Sequence, residues 1–413
     1  MVKSVLSPQS SVLSPHSTDF LIVGGGIIGI TLALEIKSRF RDCSVVVLEK
    51  EHTPGQHASG RNSGVLHAGF YYAADSLKAR LTRDGNRELT EYCLDRAIPI
   101  NQCGKLVVAK NESELDGLDT LLKRGRANGV EVEVITAADA RTIEPRVKTF
   151  TKALYSPTTS TVNPGDVMRE LCKDLVQANI ELITGARYLQ HKTNRVVTTK
   201  GNIDAGYIIN AAGLYADKIA RLFGFSKDFT ILPFKGLYLY MTAEAGQLDK
   251  HIYPVPDINN PFLGVHITIT VDGHIKIGPT AIPAFWRENY TGLKAFNLSE
   301  FMEITGMEMN LLLSNQFGFR QLAIQELQKY SRARMVKLAS DMVEGIEKCH
   351  LKQWGKPGIR AQLVNIKTRQ LVMDFCYEGD DRSFHVLNAV SPAFTCAMPF
   401  SRLMVDEIEK RVA

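Results

Sequence analysis

The 413-residue chain has a formal net charge of +5, with 45% hydrophobic and 23% charged residues. This is globular composition, long enough for two domains, and it excludes a disordered or fibrous chain. Its lysines and arginines are scattered, so no nucleic-acid partner is expected, and its seven cysteines contain no CxxC pair, so neither a disulfide framework nor a metal site is expected.

Residues 1–18 repeat Ser4-Val5-Leu6-Ser7-Pro8 as Ser11-Val12-Leu13-Ser14-Pro15 and read as a mobile tail rather than a signal peptide or anchor. Residues 19–29, DFLIVGGGIIG, then read as a strand, a GxGxxG turn and a helix start. In that spacing Gly24 allows the tight turn, Gly26 lets backbone reach a pyrophosphate, and Gly29 lets the helix pack on the strand. Residues 44–48, SVVVL, form a second strand ending in Glu49, whose carboxylate suits ribose hydroxyls. The alternative is a glycine turn in an ordinary βαβ unit. A nicotinamide-binding domain would continue into another helix and strand, whereas residues 53–64 form a long loop of small and polar residues. Such a loop suits a larger cofactor: backbone amides can approach a flavin, and Arg61, Asn62 and Ser63 can supply polar contacts. Surface loops of that length without structure are uncommon unless functional.

The run SGRNSGVLHAGFYY at residues 59–72, followed by Ser76-Leu77-Lys78-Ala79, resembles the FAD-dependent D-amino-acid-oxidase superfamily and, within it, the L-2-hydroxyglutarate dehydrogenase/oxidase family. Further islands of likeness are IYPVPD at 252–257, FLGVH at 262–266, Asp272-Gly273, Gly278-Pro279 and GIRAQL at 358–363. The resemblance implies an α/β Rossmann-like FAD-binding domain with an antiparallel-sheet substrate cap, of D-amino-acid-oxidase type. It divides the chain into a discontinuous FAD domain (19–85, 151–225 and 350–413) and a cap (86–150 and 226–349). The implied FAD contacts are Gly24, Gly26, Ile28, Gly29, Glu49, Lys50, Ser59, Arg61, Asn62, Ser63, Gly64, His67, Arg187, Ala212, Gly213, Arg360, Ser391, Pro392, Ala393 and Thr395.

Further along, Asn163-Pro164 starts a helix, asparagine capping and proline in the first turn, with Met168, Leu171, Cys172 and Leu175 on one face. A short strand at 180–184, a hairpin around Lys200-Gly201-Asn202 and a strand at 207–211 follow. That strand ends in an Asn210-Ala211-Ala212-Gly213 turn, which in the family returns to the cofactor. Alternating strands at 237–241, 264–270 and 274–278 look antiparallel, and residues 298–348 read as several helices. A strand at 383–387 and a loop at 388–395 lead to a terminal helix with first turns near Met398. In the family this loop lies under the flavin pyrimidine, where a helix N-terminus would favour negative charge.

Oxidation of an α-hydroxy acid needs cations for the carboxylate, a base for the hydroxyl proton, and the Cα hydrogen aimed at flavin N5. The clamp is sought among Arg360, Lys235, Tyr72 and Tyr253, with Arg360 favoured because arginine grips carboxylates with two donors. The candidate bases are His67 and His266. The chain departs from the family at Lys235, where arginine is common, at Thr280, where asparagine is usual, and along 267–271, which lacks an expected basic residue. The expected function is oxidation of a small 2-hydroxy acid, L-2-hydroxyglutarate first, with an amine oxidase of glycine or sarcosine oxidase type, or a non-catalytic electron-transfer module, as alternatives. The electron acceptor is oxygen, a quinone or a protein. With no run of about 20 apolar residues, the chain reads as cytoplasmic, with peripheral membrane contact left open.

Overall fold

The computed structural model describes residues 16–256, 263–315 and 318–412; of the islands of likeness, Asp257 and Phe262 lie outside these. So do residues 1–15 of the expected tail, but residues 16–18 belong to the fold. Strand His16–Val23 starts there because His16, Ser17 and Thr18 pair in parallel with Ile203, Asp204 and Ala205.

That strand is the centre of the first sheet. Val45–Leu48 and then Glu181–Ile183 lie on one side and Gly201–Asn210 on the other, all parallel. At 10 residues, Gly201–Asn210 is long enough to pair twice along its outer edge. Its start forms the expected hairpin with Arg195–Thr198, and its end takes Ser383–Asn388 in parallel. Side-chain alternation feeds two cores. Ile22, Val45, Val47 and Ile209 pack under helices Ile27–Arg39, Pro164–Gln177 and Ala393–Val412, while Leu21, Val46, Leu48 and Ile208 face the other way. Burial on both faces is what a parallel sheet requires.

The second sheet runs Leu351–Trp354, Leu239–Met241, Ile275–Gly278, His266–Ile269, His251–Pro254, Lys105–Val108, Lys152–Ser156, Glu133–Thr136. All its pairings are antiparallel except His251–Pro254 with Lys105–Val108. A third sheet, built on Phe229–Gly236 paired with Gly358–Asn365, joins the halves. Ile231, Ile359 and Leu363 pack on Leu214 and Leu387, whereas Leu232, Phe234 and Val364 pack on Ile304, Leu311 and Phe319.

Several expected boundaries shift. Lys152–Ser156, assigned above to the FAD domain, is hydrogen-bonded into the second sheet, as is Leu351–Trp354, and Gly358–Asn365 belongs to the third. A short alternating strand does not encode its partner, which here lies far off in sequence. The boundary at residue 85 cuts helix Leu77–Asp95, whose Leu81, Leu89 and Cys93 remain in the first core. The terminal helix begins at Ala393 rather than near Met398. Pro392 marks its start, with Cys396 N donating to the Pro392 carbonyl at 3.2 Å, and Pro399 sits inside it.

Helix Leu298–Ser314 turns two carboxylates inward: Glu300 and Glu308 are buried with Ile304 and Leu311. Among the described residues Glu308 Oε1 has no hydrogen-bond partner, and burial pushes its carboxyl from 4.5 up to about 8. Across that window the folded side chain is protonated while the unfolded one is ionised, so stability falls as pH rises from 4.5 through 8. Glu308→Gln removes this dependence. In thermal unfolding the variant is expected to melt about 2–4 °C above the parent at pH 8.5, with the gap closing near pH 4.5.

Candidate active site

The glycine turn is sterically determined. At Gly24 (φ +120°) an added Cβ would lie 2.4 Å from the Ala211 carbonyl oxygen, and at Gly29 it would lie 1.9 Å from the Gly24 oxygen. The ends of two strands and the start of a helix therefore meet backbone to backbone. Glu49 is fixed against this turn: one carboxylate oxygen accepts from Gly25 N and the other from Glu51 N, both at 2.8 Å. Ser59, from the glycine-rich loop, accepts from Ile27 N at 2.9 Å and so sits on the N-terminus of helix Ile27–Arg39.

A cavity of about 460 Å³ runs from this turn to the junction of the three sheets. Gly24, Gly26, Ile28, Glu49 and Lys50 line its first part, with Ser59, Arg61, Asn62, Ser63, Arg187, Ala212 and Gly213. His67, His266, Arg360, Ser391, Pro392, Ala393 and Thr395 also line it. Gly29 and Gly64 stand behind the wall, at close backbone crossings; a Cβ at Gly64 would come 2.2 Å from the Val162 oxygen.

Some polar side chains of the loop are engaged with protein. Asn62 donates to the Ser59 carbonyl and accepts from Gly64 N, each at 2.8 Å, so it folds the loop. Arg61 donates to the Gln56 carbonyl at 2.7 Å and stacks over Tyr290 at 4.4 Å. Lys50 pairs with Glu288 and lies 3.3 Å from Glu51. Glu288 and Tyr290 belong to a strap over the loop that sequence reasoning missed. Its anchor is Arg287, fully buried, which donates to both oxygens of Asp217 at 2.6 and 2.9 Å. No local pattern marks this pair, because its members lie 70 residues apart. Glu51, His57 and Glu288 have metal-ligand spacing, but Lys50 and the Tyr290 hydroxyl already occupy them.

At the other end, Thr395 Oγ1 accepts from His67 N at 3.2 Å, in the first turn of helix Ala393–Val412. The positive end of that helix therefore lies beside the cavity. His67 lines the cavity, and burial, then Lys105 and Arg360, lowers it to about 3. His266 is held well below its usual value by burial, then by His67, Arg360 and Lys105. Its Nδ1 lies 2.9 Å from the Gly264 carbonyl. Only an N–H can bond there, so Nε2 carries the lone pair. Both histidines are thus neutral, and the charged groups bearing on them are cations.

The other clamp candidates do not line the cavity. Lys235 pairs with Ile359 while Arg360 pairs with Phe234, so Lys235 leaves its strand on the opposite face, where it donates to Asn289 at 3.1 Å. Thr280 bridges Lys235 O and Leu237 N, both at 3.0 Å. Tyr253 stacks on His266 with ring centres 3.9 Å apart and 15° between planes. The Tyr72 hydroxyl is pushed above its usual range by burial. Residues not singled out above take part instead. Tyr238 lines the cavity, burial raising its hydroxyl to about 12. Lys276, opposite Thr268, donates to the Ser63 carbonyl at 2.7 Å. The basic residue missing from 267–271 is thus on the neighbouring strand. A lysine inside an apolar run, as in IKIG at 275–278, was the available signal.

A Rossmann-like nucleotide fold whose cavity continues to a histidine-lined chamber defines a flavoenzyme class. The FAD dependent oxidoreductase family model matches residues 19–407, and the chain belongs to that family. L-2-hydroxyglutarate dehydrogenase of Escherichia coli strain K12 is 34% identical over 403 residues, covering 96% of this chain and 94% of that protein. The mitochondrial L-2-hydroxyglutarate dehydrogenase of Homo sapiens is 35% identical over 423 residues, covering 96% and 90%. Among solved structures, FAD-bound L-alpha-glycerophosphate oxidase from Mycoplasma pneumoniae superposes with a TM-score of 0.75 at 22% identity, over 95% of each chain. Glycine oxidase from Geobacillus kaustophilus gives 0.71 at 20%, over 96% and 95%. The chain is an FAD-dependent oxidoreductase acting on a CH–OH group. Its glycine turn, Glu49 and helix N-termini are the donor and acceptor set FAD needs.

Proposed function

We propose that this protein oxidises L-2-hydroxyglutarate to 2-oxoglutarate. The observation that carries this reading is the chamber itself, where neutral His67 and His266 stand with Arg360 and the charges acting on them are all cationic. Such a chamber favours an anionic substrate. The identity shared with several L-2-hydroxyglutarate dehydrogenases supports it. The flavin, when bound, supplies the two-electron acceptor for hydride from the substrate carbon. Arg360 holds the carboxylate next to that carbon. His266, through Nε2, or His67 takes the hydroxyl proton. The anion's arrival offsets the repulsion from Arg360 and Lys105 and so raises the basicity of both rings. An amino acid would bring an ammonium group into this all-cationic environment, which disfavours the amine-oxidase alternative, and the likeness to glycine oxidase extends to the fold alone.

The reading extends to a membrane-surface contact through helix Leu298–Ser314. With Glu300 and Glu308 turned inward, its outer face presents Leu298, Met302, Met309 and Leu313, 62%, 67%, 51% and 70% exposed. Leu293, Ile324 and Leu327 are exposed as well, and Arg320 sits at the helix end, donating to the Leu312 and Leu313 carbonyls. An uncharged apolar stripe on a surface helix with a cation at its end suits a lipid interface. No described helix is long and apolar enough to cross a membrane. Docking at lipid favours a membrane-dissolved quinone as electron acceptor over oxygen or a soluble protein.

Anaerobic mixing of the yellow holoenzyme with L- and D-2-hydroxyglutarate, L-lactate, L-malate and glycine is expected to bleach the flavin rapidly with the L-dicarboxylate alone; bleaching confined to glycine would overturn the substrate assignment. In the same mixing, alanine at the histidine that serves as base is expected to slow reduction by about 10²–10⁴-fold with flavin retained, and unchanged rates in both His67→Ala and His266→Ala would remove histidine from the chemistry. Vesicles containing one-third anionic phospholipid are expected to co-sediment the protein, and Met302→Glu with Met309→Glu to abolish this while leaving flavin reduction intact.

A further inference from the structure

Lys105 opens the strand Lys105–Val108 and is fully buried. Among the described residues its ammonium nitrogen has no hydrogen-bond partner. Three rings enclose it, with centroids 4.4 Å away for Phe70, 4.6 Å for Tyr71 and 4.8 Å for Tyr253. Ring faces attract a cation but accept none of the three hydrogen bonds an ammonium offers. Two of these rings carry hydroxyls in the same condition: Tyr71 and Tyr253 are buried there with no partner among the described residues. The ammonium and the hydroxyls of two of its enclosing rings are thus three unsatisfied polar groups in one cluster. Buried polar groups are nearly always hydrogen-bonded, so such a cluster points to a ligand.

The cluster adjoins the reaction chamber. Tyr253 stacks face to face on His266, which lines the cavity, and Tyr71 lies 6.4 Å from Tyr253, ring to ring. The electrostatics agree: Lys105 and Arg360 are the charged groups that act on His67, and both act on His266. The histidine pair therefore lies within reach of Arg360 and of Lys105, whose ammonium burial lowers to about 7 so that an arriving anion favours its charged form. One of them, Arg360, faces the cavity, and the other stands behind an aromatic wall with its donors unused.

We propose that Lys105, with the hydroxyls of Tyr71 and Tyr253, forms the subsite for the distal carboxylate of a dicarboxylate substrate, while Arg360 takes the carboxylate beside the reacting carbon. The proposal rests on the functional reading above and names what makes that site select a dicarboxylate. The carboxylate accepts from the ammonium and both hydroxyls, which satisfies all three orphaned groups at once. A monocarboxylate of equal length reaches Arg360 but leaves Lys105 buried without an anion, so the site discriminates by the cost of an unmet charge. The nearby histidine His251 makes no claim on Lys105: its Nδ1 accepts from Ile269 N at 3.1 Å and its Nε2 lies 3.3 Å from Cys103 Sγ.

The test uses ligands that cannot be oxidised. The holoenzyme is titrated with glutarate and with butyrate, binding being read from the perturbed flavin absorbance. The parent is expected to prefer glutarate by at least about tenfold. Lys105→Met should erase that preference by weakening glutarate alone, and Lys105→Arg should restore part of it. Tyr71→Phe and Tyr253→Phe keep the rings and remove only the hydroxyls; each should weaken glutarate several-fold more than butyrate, and they decide the matter if Lys105→Met fails to retain flavin. A parent without preference for glutarate, or a preference that survives in the lysine and both tyrosine variants, overturns the subsite. The two readings fail separately: glutarate preference that depends on Lys105, without bleaching by L-2-hydroxyglutarate, supports the subsite and sinks the substrate assignment. Bleaching by L-2-hydroxyglutarate with an intact preference in Lys105→Met does the reverse.

Discussion

The backbone contact between Gly24 and Ala211 is the constraint on which the rest of the structure depends. A side chain at Gly24 would strike a carbonyl oxygen at 2.4 Å, and its φ of +120° is closed to other residues. Because that contact exists, the strands His16–Val23 and Gly201–Asn210 end side by side, and the helix after the turn can start over them. Gly29 allows the helix to come that close. Glu49 and Ser59 are then brought to the same mouth by hydrogen bonds to Gly25 N and Ile27 N. This crossing thus sets the glycine turn and its hydrogen-bonded loop at one end of the cavity, with His67, His266 and Arg360 also lining it.

The second half of the molecule gathers positive charge beside a packed apolar core. The chamber collects Arg360 and Lys105 near histidines that burial keeps neutral. Burying cations without anions is costly for a folded protein and is retained where a ligand completes the balance. The opposite arrangement holds at the nucleotide end, where Arg287 and Asp217 form a fully buried bidentate pair and Lys50 is matched by Glu288. Charges that hold the protein together are paired inside it, whereas Lys105, proposed to hold substrate, has no hydrogen-bond partner among the described residues.

Much of the cavity lining around the glycine turn was legible in sequence because its geometry is local. The spacing of Gly24, Gly26 and Gly29, the acid at the end of the second strand and the small residues of 53–64 lie within 41 consecutive positions. The Asn163 cap also appears as read, with Asn163 accepting from Gly165 N at 2.9 Å. The substrate end was less legible. Lys235 was a reasonable carboxylate partner beside Arg360 until the register of two strands more than 120 residues apart set them on opposite faces. Lys105 drew no notice because a single lysine before an apolar run is indistinguishable from a surface charge at a strand end.

Local backbone geometry and the periodicity of apolar side chains were determined by the sequence alone: glycine conformations, helix caps and alternating burial depend on neighbours within a turn or a strand. From these came the dinucleotide fold, the flavin loop and a cap of antiparallel strands. Which strand pairs with which, and hence which cations meet in the chamber, was decided only in the tertiary structure. Pairing energy depends on partners brought together across long loops, and a shift of one residue reverses the face on which every side chain stands.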